Sequence, residues 1–213
     1  PGMTRLILVT GFLGAGKTTL IRSLLPRLAG TKALIINEFG RENIDAAQLF
    51  QEKARQYGVT GGSIFCTCRL DAFEEALLDA LGSELDWILV ESSGLSDPTG
   101  LASALTLRPE FEKVVLVARI CMADARNLHK VYETAPVVKK QLSHADWVIV
   151  NKTDRTDKAQ MERIRGILLA HAPQERVIET SFAQVDAAFT QNLLAGQRVD
   201  LPQECLYADV SQR

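Results

Sequence analysis

The stretch "LILVTGFLGAGKTTLIRSLL" (residues 6–25) joins an apolar run to a glycine-rich bend and then to an apolar stripe at helical spacing. Gly11, Gly16, Lys17 and Thr18 match G-x-x-x-x-G-K-[ST], with a strand before the bend and a helix after it. Glycine at positions 11, 14 and 16 lets the backbone turn and point successive N–H groups inward around an anion. The start of the helix adds its dipole beneath that anion. Gly11, Gly14, Ala15, Gly16, Thr18 and Thr19 are therefore expected to cradle phosphate. Lys17 is expected to reach β- and γ-phosphates, and the Thr18 hydroxyl is a hard oxygen ligand suited to Mg²⁺.

Apolar runs suited to buried strands recur at "RLILVT", "KALIIN", "DWILVE", "KVVLVARICMAD", "DWVIVN" and "ERVIET". Amphipathic stretches long enough for crossover helices separate them, which is the signature of parallel βαβ units. The expected fold is α/β: a P-loop NTPase three-layer sandwich with a mostly parallel sheet and helices on both faces. In "DAFEEALLDALG", Asp71 and Glu74 read as a capping box. Phe73, Ala76, Leu77, Ala80 and Leu81 share one face, and Gly82 stops the helix. A second helix is expected from near Thr156 to before Pro173, with Met161, Ile164, Ile167 and Leu168 on its apolar stripe. Ligands of such sheets sit at the carboxyl ends of the strands, so the residues just after each apolar run carry the chemistry.

"DWVIVNKTD" ends an apolar run in Asn151, Lys152 and Asp154. A carboxylate there can accept from both N1–H and the exocyclic amine of guanine, a pair adenine does not offer. An unpaired buried carboxylate is costly, so Asp154 selects guanine, while the Lys152 stem covers the base and Asn151 braces the loop. Ser181 and its neighbours in "ETSFAQVD" sit where a further loop can touch that base. In "DWILVESSGLSDP", Glu91 reads as a Walker-B acid positioning Mg²⁺, and the Gly94 amide as a γ-phosphate contact in a rearranging segment. Asn37, Glu38 and Asp45 of "INEFGRENID" lie where a first switch would sit, with Glu38 a further candidate for Mg²⁺. An ordinary acidic loop explains that composition almost as well.

The whole chain has 213 residues, 46% of them apolar, and a formal charge of -2. That size supports one substantial core, and the charge gives no general pull toward nucleic acid or an anionic membrane. No apolar run approaches the roughly 20 residues of a membrane span. Pro1 and Gly2 before Met3 read as a tag remnant without a signal peptide. Cys66, Cys68, Cys121 and Cys205 do not form a secreted disulfide pattern, which points to the reducing cytoplasm. The three histidines, His129, His144 and His171, show no ligand spacing.

"GFLGAGKTTL", "NEFG" followed by "ID", "ESSGLSDP", "ADA" and "NKTD" stand in an order and spacing that resembles the CobW-like GTPases. These are relatives of the nickel-insertion GTPases of hydrogenase and urease maturation. The resemblance runs from about Thr4 to Val185 and implies a P-loop GTPase domain over residues 3–200, with 201–213 as a tail. It implies Mg²⁺-dependent hydrolysis of GTP to GDP, often with a nucleotide-linked homodimer. It also implies delivery of a metal or a cobalamin-type cofactor to a client metalloprotein.

Two features depart from the family. Its usual Cys-x-Cys-Cys is here "GGSIFCTC", with Ser63 and Phe65 at the first two thiol positions, leaving Cys66 and an added Cys68. That pair can recruit Zn²⁺ or another transition metal if a histidine or carboxylate joins it, and is otherwise two reduced thiols beside a helix start. The resemblance also implies a smaller C-terminal domain, which is not expected within residues 1–213, either because the protein is a short variant or because the sequence is a piece of a longer one. With no glutamine to position water, and only Arg41 in the first switch region to stabilise transition-state charge, turnover is expected well below about 10 s⁻¹. The alternatives are a nucleotide-gated partner-binding module with negligible turnover and a metallochaperone using Cys66 and Cys68. An ATP-dependent kinase conflicts with "NKTD".

Overall fold

The computed structural model describes residues 2–38, 55–60 and 70–195. Their strands are β1 (Thr4–Gly11), β2 (Lys32–Glu38), β3 (Arg55–Thr60), β4 (Trp87–Glu91), β5 (Val114–Asp124), β6 (Trp147–Asn151) and β7 (Val177–Glu179). The sheet order is β3-β2-β4-β1-β5-β6-β7, and every pairing is parallel. Each of the six apolar runs becomes a strand, the last shortened to three residues. The seventh strand, "RQYGVT", is an addition to the expected set. It lies at the sheet edge against β2 alone.

The helices are α1 (Lys17–Leu24), α2 (Leu70–Leu81), α3 (Thr99–Leu107), α4 (Leu128–Thr134), α5 (Pro136–Ser143), α6 (Lys158–Leu168) and α7 (Ala187–Leu194). Parallel crossovers are right-handed, so the direction of travel across the sheet decides which face a helix covers. From β1 the chain moves one way to β2, placing α1 on one face. From β3 to β4, β4 to β5, β5 to β6 and β6 to β7 it moves the other way, placing α2 to α6 on the opposite face.

The burial pattern of β1 matches this division. Ile7 and Val9 pack with Leu20, Ile21 and Leu24 of α1 and Phe189 and Leu193 of α7. Leu6 and Leu8 point the other way, toward Phe73 and Leu77 of α2 and Leu101 and Ala104 of α3. All these side chains are essentially inaccessible. A third cluster joins β5 and β6 to α4, α5 and α6 through Cys121, Val148, Val138, Leu142 and Ile164.

β5 carries a register shift. Leu6 pairs with Leu116, but Ile7 pairs with Ala118, so the bulged strand gains one residue. Before the bulge Val114 and Leu116 join the α2–α3 cluster; after it Ile120 and Met122 join the α1 cluster. The parity switch brings Met122 beneath the glycine-rich bend.

Local signals at two helices resolve differently. Asp157 caps α6 by accepting from the Gln160 amide at 2.8 Å, and Met161, Ile164 and Leu168 are buried as their spacing requires. Glu74, expected to serve a local capping box with Asp71, instead makes a long-range ion pair. α2 starts at Leu70, so Asp71 lies inside the helix, and Glu74 is buried against the Arg108 guanidinium. A long-range ion pair there takes the carboxylate that a local cap would have used.

Candidate nucleotide-binding site

The crossover from β1 runs through α1 toward β2, while the one from β4 runs through α3 over β1 toward β5, and these opposite directions open a crevice at the carboxyl edge of the sheet. A cavity of about 420 Å³ occupies it, walled by the β1–α1 bend, the segment after β4 and the segment after β6. That volume is ordinary for a small-molecule site.

The bend takes its shape from Gly11, Gly14 and Gly16, at φ 134°, 72° and 107°, in the region that disfavours side chains. At Gly16 a Cβ would also strike the Asn151 side-chain amide. Lys17, largely buried, folds back to donate from Nζ to the carbonyls of Gly11 (2.9 Å) and Phe12 (3.4 Å). Burial lowers the pKa of this ammonium, and the Glu91 charge opposes that shift.

Thr18 and Glu91, from opposite walls, meet directly. The Thr18 hydroxyl donates to Glu91 Oε1 at 2.9 Å, with Oε2 at 3.1 Å. Burial raises the Glu91 pKa, opposed by Lys17 and by the Thr18 hydrogen bond. A hydroxyl and a carboxylate that converge beside a phosphate cradle form the hard-oxygen donor set that Mg²⁺ takes, so these residues fit that ion. Gly94 is packed so closely on the bend that a Cβ would lie 2.6 Å from the Leu13 nitrogen. Its carbonyl accepts from Gln141 Nε2 of α5 at 3.2 Å, and Gln141 also donates to the Ser96 carbonyl at 3.1 Å.

At the far wall, Asn151 donates to the Ala15 carbonyl at 3.0 Å and accepts from the Ala183 amide at 2.8 Å. One buried side chain therefore ties the phosphate bend to the loop after β7. Lys152, in the left-handed region at φ 64°, donates to the Gly14 carbonyl and to Asp124 Oδ2 at 2.9 Å. Asp154 is exposed on the cavity rim, and its amide donates to the Ser181 hydroxyl at 3.2 Å. Ser181 thus lies beside Asp154, and Asp154 and Phe182 of the loop after β7 line the same cavity.

Lys17, Thr18, Thr19, Glu91, Gly94, Asn151, Lys152 and Asp154 all line the same cavity. Glu38 ends β2 at the same sheet edge, paired with Thr60. Arg41, Cys66 and Cys68 lie outside the described residues, as do the expected domain end at 200 and the tail beyond it. Among the described residues no group of three or more His, Cys, Asp or Glu is placed to hold a metal ion. His171 instead bonds Tyr132 (2.9 Å) and Ser143 (2.8 Å).

Two participants, Arg155 and Phe182, were not singled out in the sequence, and a third, Asp124, stood there only within "KVVLVARICMAD" and "ADA". Asp124 closes β5 and holds Lys152; its signal was present, because it is the polar end of an apolar run. Arg155 and Phe182 line the cavity rim. Phe182 carries no signal beyond its place beside Ser181. Among the described residues no helix is long and apolar enough to cross a membrane.

A parallel α/β sheet with this bend at the end of its central strand is the fold of a P-loop nucleotide-binding domain. A family model, "CobW/HypB/UreG, nucleotide-binding domain", matches residues 5–179, and the chain belongs to that family. Zinc chaperone YeiR of Escherichia coli (strain K12) is 31% identical over 210 residues, covering 96% of this chain and 60% of the relative. Zinc chaperone YjiA of the same organism is 32% identical over 161 residues, covering 72% of this chain and 50% of the relative. The chain therefore spans half to three-fifths of these relatives. The crystal structure of Zn(II)-bound YjiA GTPase from E. coli shares the fold, with a TM-score of 0.64 at 23% identity over 91% of this chain and 62% of that one.

Proposed function

We propose that the chain is the nucleotide-handling domain of a GTP-hydrolysing protein that works in metal delivery. The observation that carries the reading is one cavity with two chemically distinct ends. Lys17 and the Thr18–Glu91 pair stand at one, and Asp154, its amide held by the Ser181 hydroxyl behind it, at the other. A guanine nucleotide presents matching groups, a charged phosphate tail and a purine edge with two adjacent N–H donors.

In this reading the backbone N–H groups from Gly14 to Thr19 and the Lys17 ammonium take the β- and γ-phosphate charge. Thr18 and Glu91 would hold Mg²⁺, which would supply positive charge beside those phosphates. Gly94 offers its amide to the γ-phosphate and, through its contact with Leu13, moves with the bend. Asp154 accepts from guanine N1–H and N2–H, and Asn151 keeps the two ends in register. Among the described residues no glutamine lines the cavity to position water, so in this reading intrinsic hydrolysis is slow, and a partner protein or a second copy completes the site.

Zinc is the proposed cargo, because relatives above 30% identity are named zinc chaperones. A cobalamin-type cofactor finds no such support beyond the name of the family. Cys66 and Cys68 are the proposed thiolate contacts to the cargo, in a protein working in the cytoplasm and passing metal to a client protein. Equal zinc affinity in the parent and a Cys66→Ser, Cys68→Ser variant would remove those thiols.

The central test is calorimetric. Lys17→Ala is expected to abolish tight GTP binding. Asp154→Asn is expected to weaken GTP about a hundredfold or more while leaving ATP where it was. ATP preferred to GTP by the parent protein would overturn the reading.

A further inference from the structure

Phe182 is 67% exposed, yet it stands on the wall of the nucleotide cavity beside Lys152, Asp154 and Arg155. An aromatic ring left in water forgoes the burial that usually justifies it. The backbone beneath it is also held in a conformation that side chains disfavour. Phe182 and Ala183 lie at φ 57° and 52°, both in the left-handed region.

Anchors on each side impose that conformation. On one side, Ser181 Oγ accepts from the Asp154 amide at 3.2 Å and pairs with Thr153 Oγ1 at 3.2 Å. On the other, the Ala183 amide donates to Asn151 Oδ1 at 2.8 Å, and Ala183 itself is fully buried. The Thr180 hydroxyl bonds the Gln184 carbonyl at 2.6 Å and so closes the loop on itself. The residue between the anchors is pushed outward. Strain fixed from both sides is characteristic of binding sites, and here it displays a flat π surface at the end of the cavity where Asp154 sits.

We propose that Phe182 is a base-stacking residue, its ring lying against one face of the purine whose edge Asp154 reads. The proposal rests on the guanine-nucleotide reading of the cavity and adds a division of labour to it. Asp154 supplies the choice between purines, because only a hydrogen-bonding group can distinguish their edges. Phe182 supplies affinity without choice, because every base has a π face.

The test separates base from phosphate. Calorimetric titrations of GDP and of inorganic pyrophosphate compare the parent with Phe182→Ala, Phe182→Gly and Phe182→Trp. The Ala and Gly variants are expected to lose about tenfold in GDP affinity, the scale of one base–aromatic stack. Phe182→Trp retains it, and pyrophosphate affinity stays at the parent value throughout. Phe182→Gly also relieves the left-handed backbone, so its melting temperature should equal or exceed that of the parent, which keeps lost affinity distinct from lost fold.

GDP bound equally well by Phe182→Ala and the parent would overturn the stacking role and leave the guanine reading standing. Pyrophosphate affinity falling in parallel would overturn it too, by showing that the ring acts through the Asn151 link to the phosphate bend. A parent protein that holds pyrophosphate but not GDP would overturn the guanine reading, and the stacking role with it.

Discussion

Asp124 shows how a single carboxylate can organise a site without touching a ligand. Burial alone would raise its pKa, but hydrogen bonds from the Arg126 side chain, Lys152 and the Arg126 amide overcome that and hold it at about 2. Arg126 grips both carboxylate oxygens, at 3.1 and 2.8 Å, and Lys152 shares Oδ2. A depressed carboxyl stabilises the fold fully above its ordinary value of about 3.9 and loses that contribution as pH falls through about 2. Asp124→Asn should therefore lose less stability than the parent between about pH 5 and about pH 2, as read by denaturant midpoints. At neutral pH the same variant frees Lys152 from one of its two anchors. It should weaken guanine-nucleotide binding severalfold without altering the preference for guanine. An unchanged affinity would mean that the Gly14 carbonyl alone holds Lys152 in place.

At the scale of elements, α5 reaches the segment after β4 through one side chain. Gln141 is 1% exposed; it donates to both Gly94 and Ser96, while its Oε1 has no partner among the described residues. Gln141→Leu would relieve that buried oxygen but strip two carbonyls of a donor, at a cost of about 1–3 kcal/mol in stability. If Gly94 meets the γ-phosphate as proposed, the functional signature should be a smaller ratio of GTP to GDP affinity, because Gly94 would lose its fixed position. A ratio equal to that of the parent would confine Gln141 to a packing role.

Elements that obey local rules were legible from sequence. The bend at Gly11–Lys17 had to be glycine-rich because its backbone takes positive φ, and α6 begins where Asp157 can cap it. β3 was not legible. Arg55, Gln56 and Gly58 break the apolar run, and its place comes from pairing with β2 at the sheet edge. The ion pair of Glu74 was hidden for a related reason. Arg108, distant in sequence, claims Glu74. The same limit applied in the site. Asn151 and Asp154 follow an apolar strand and were marked, whereas Phe182 depends on a loop held by contacts to two other segments.

For the whole molecule, the cavity draws together the ends of β1, β4 and β6 and the loop after β7, so a ligand that fills it links most of the sheet. GDP at about a hundredfold over its dissociation constant should add about 2.7 kcal/mol to folding stability. For a domain of this size that corresponds to a rise of roughly 5–10 °C in melting temperature, measurable by thermal shift. Lys17→Ala should abolish the rise while leaving the ligand-free fold intact. A nucleotide-dependent change in self-association, followed by light scattering with GTP and with GDP, would extend the switch to a homodimer.

The strand order also governs how the protein is made. β1 is synthesised before both of its neighbours in the sheet, residues 87–91 and 114–124. Throughout synthesis of the intervening chain, Leu6, Ile7, Leu8 and Val9 have no sheet partner, and α1 covers one side of that strand at most. The nascent polypeptide therefore carries its central apolar strand unpaired until residues 87–91 have been made. That is a substrate for a holding chaperone, and it makes long-range closure around β1 the slow, aggregation-exposed step of maturation.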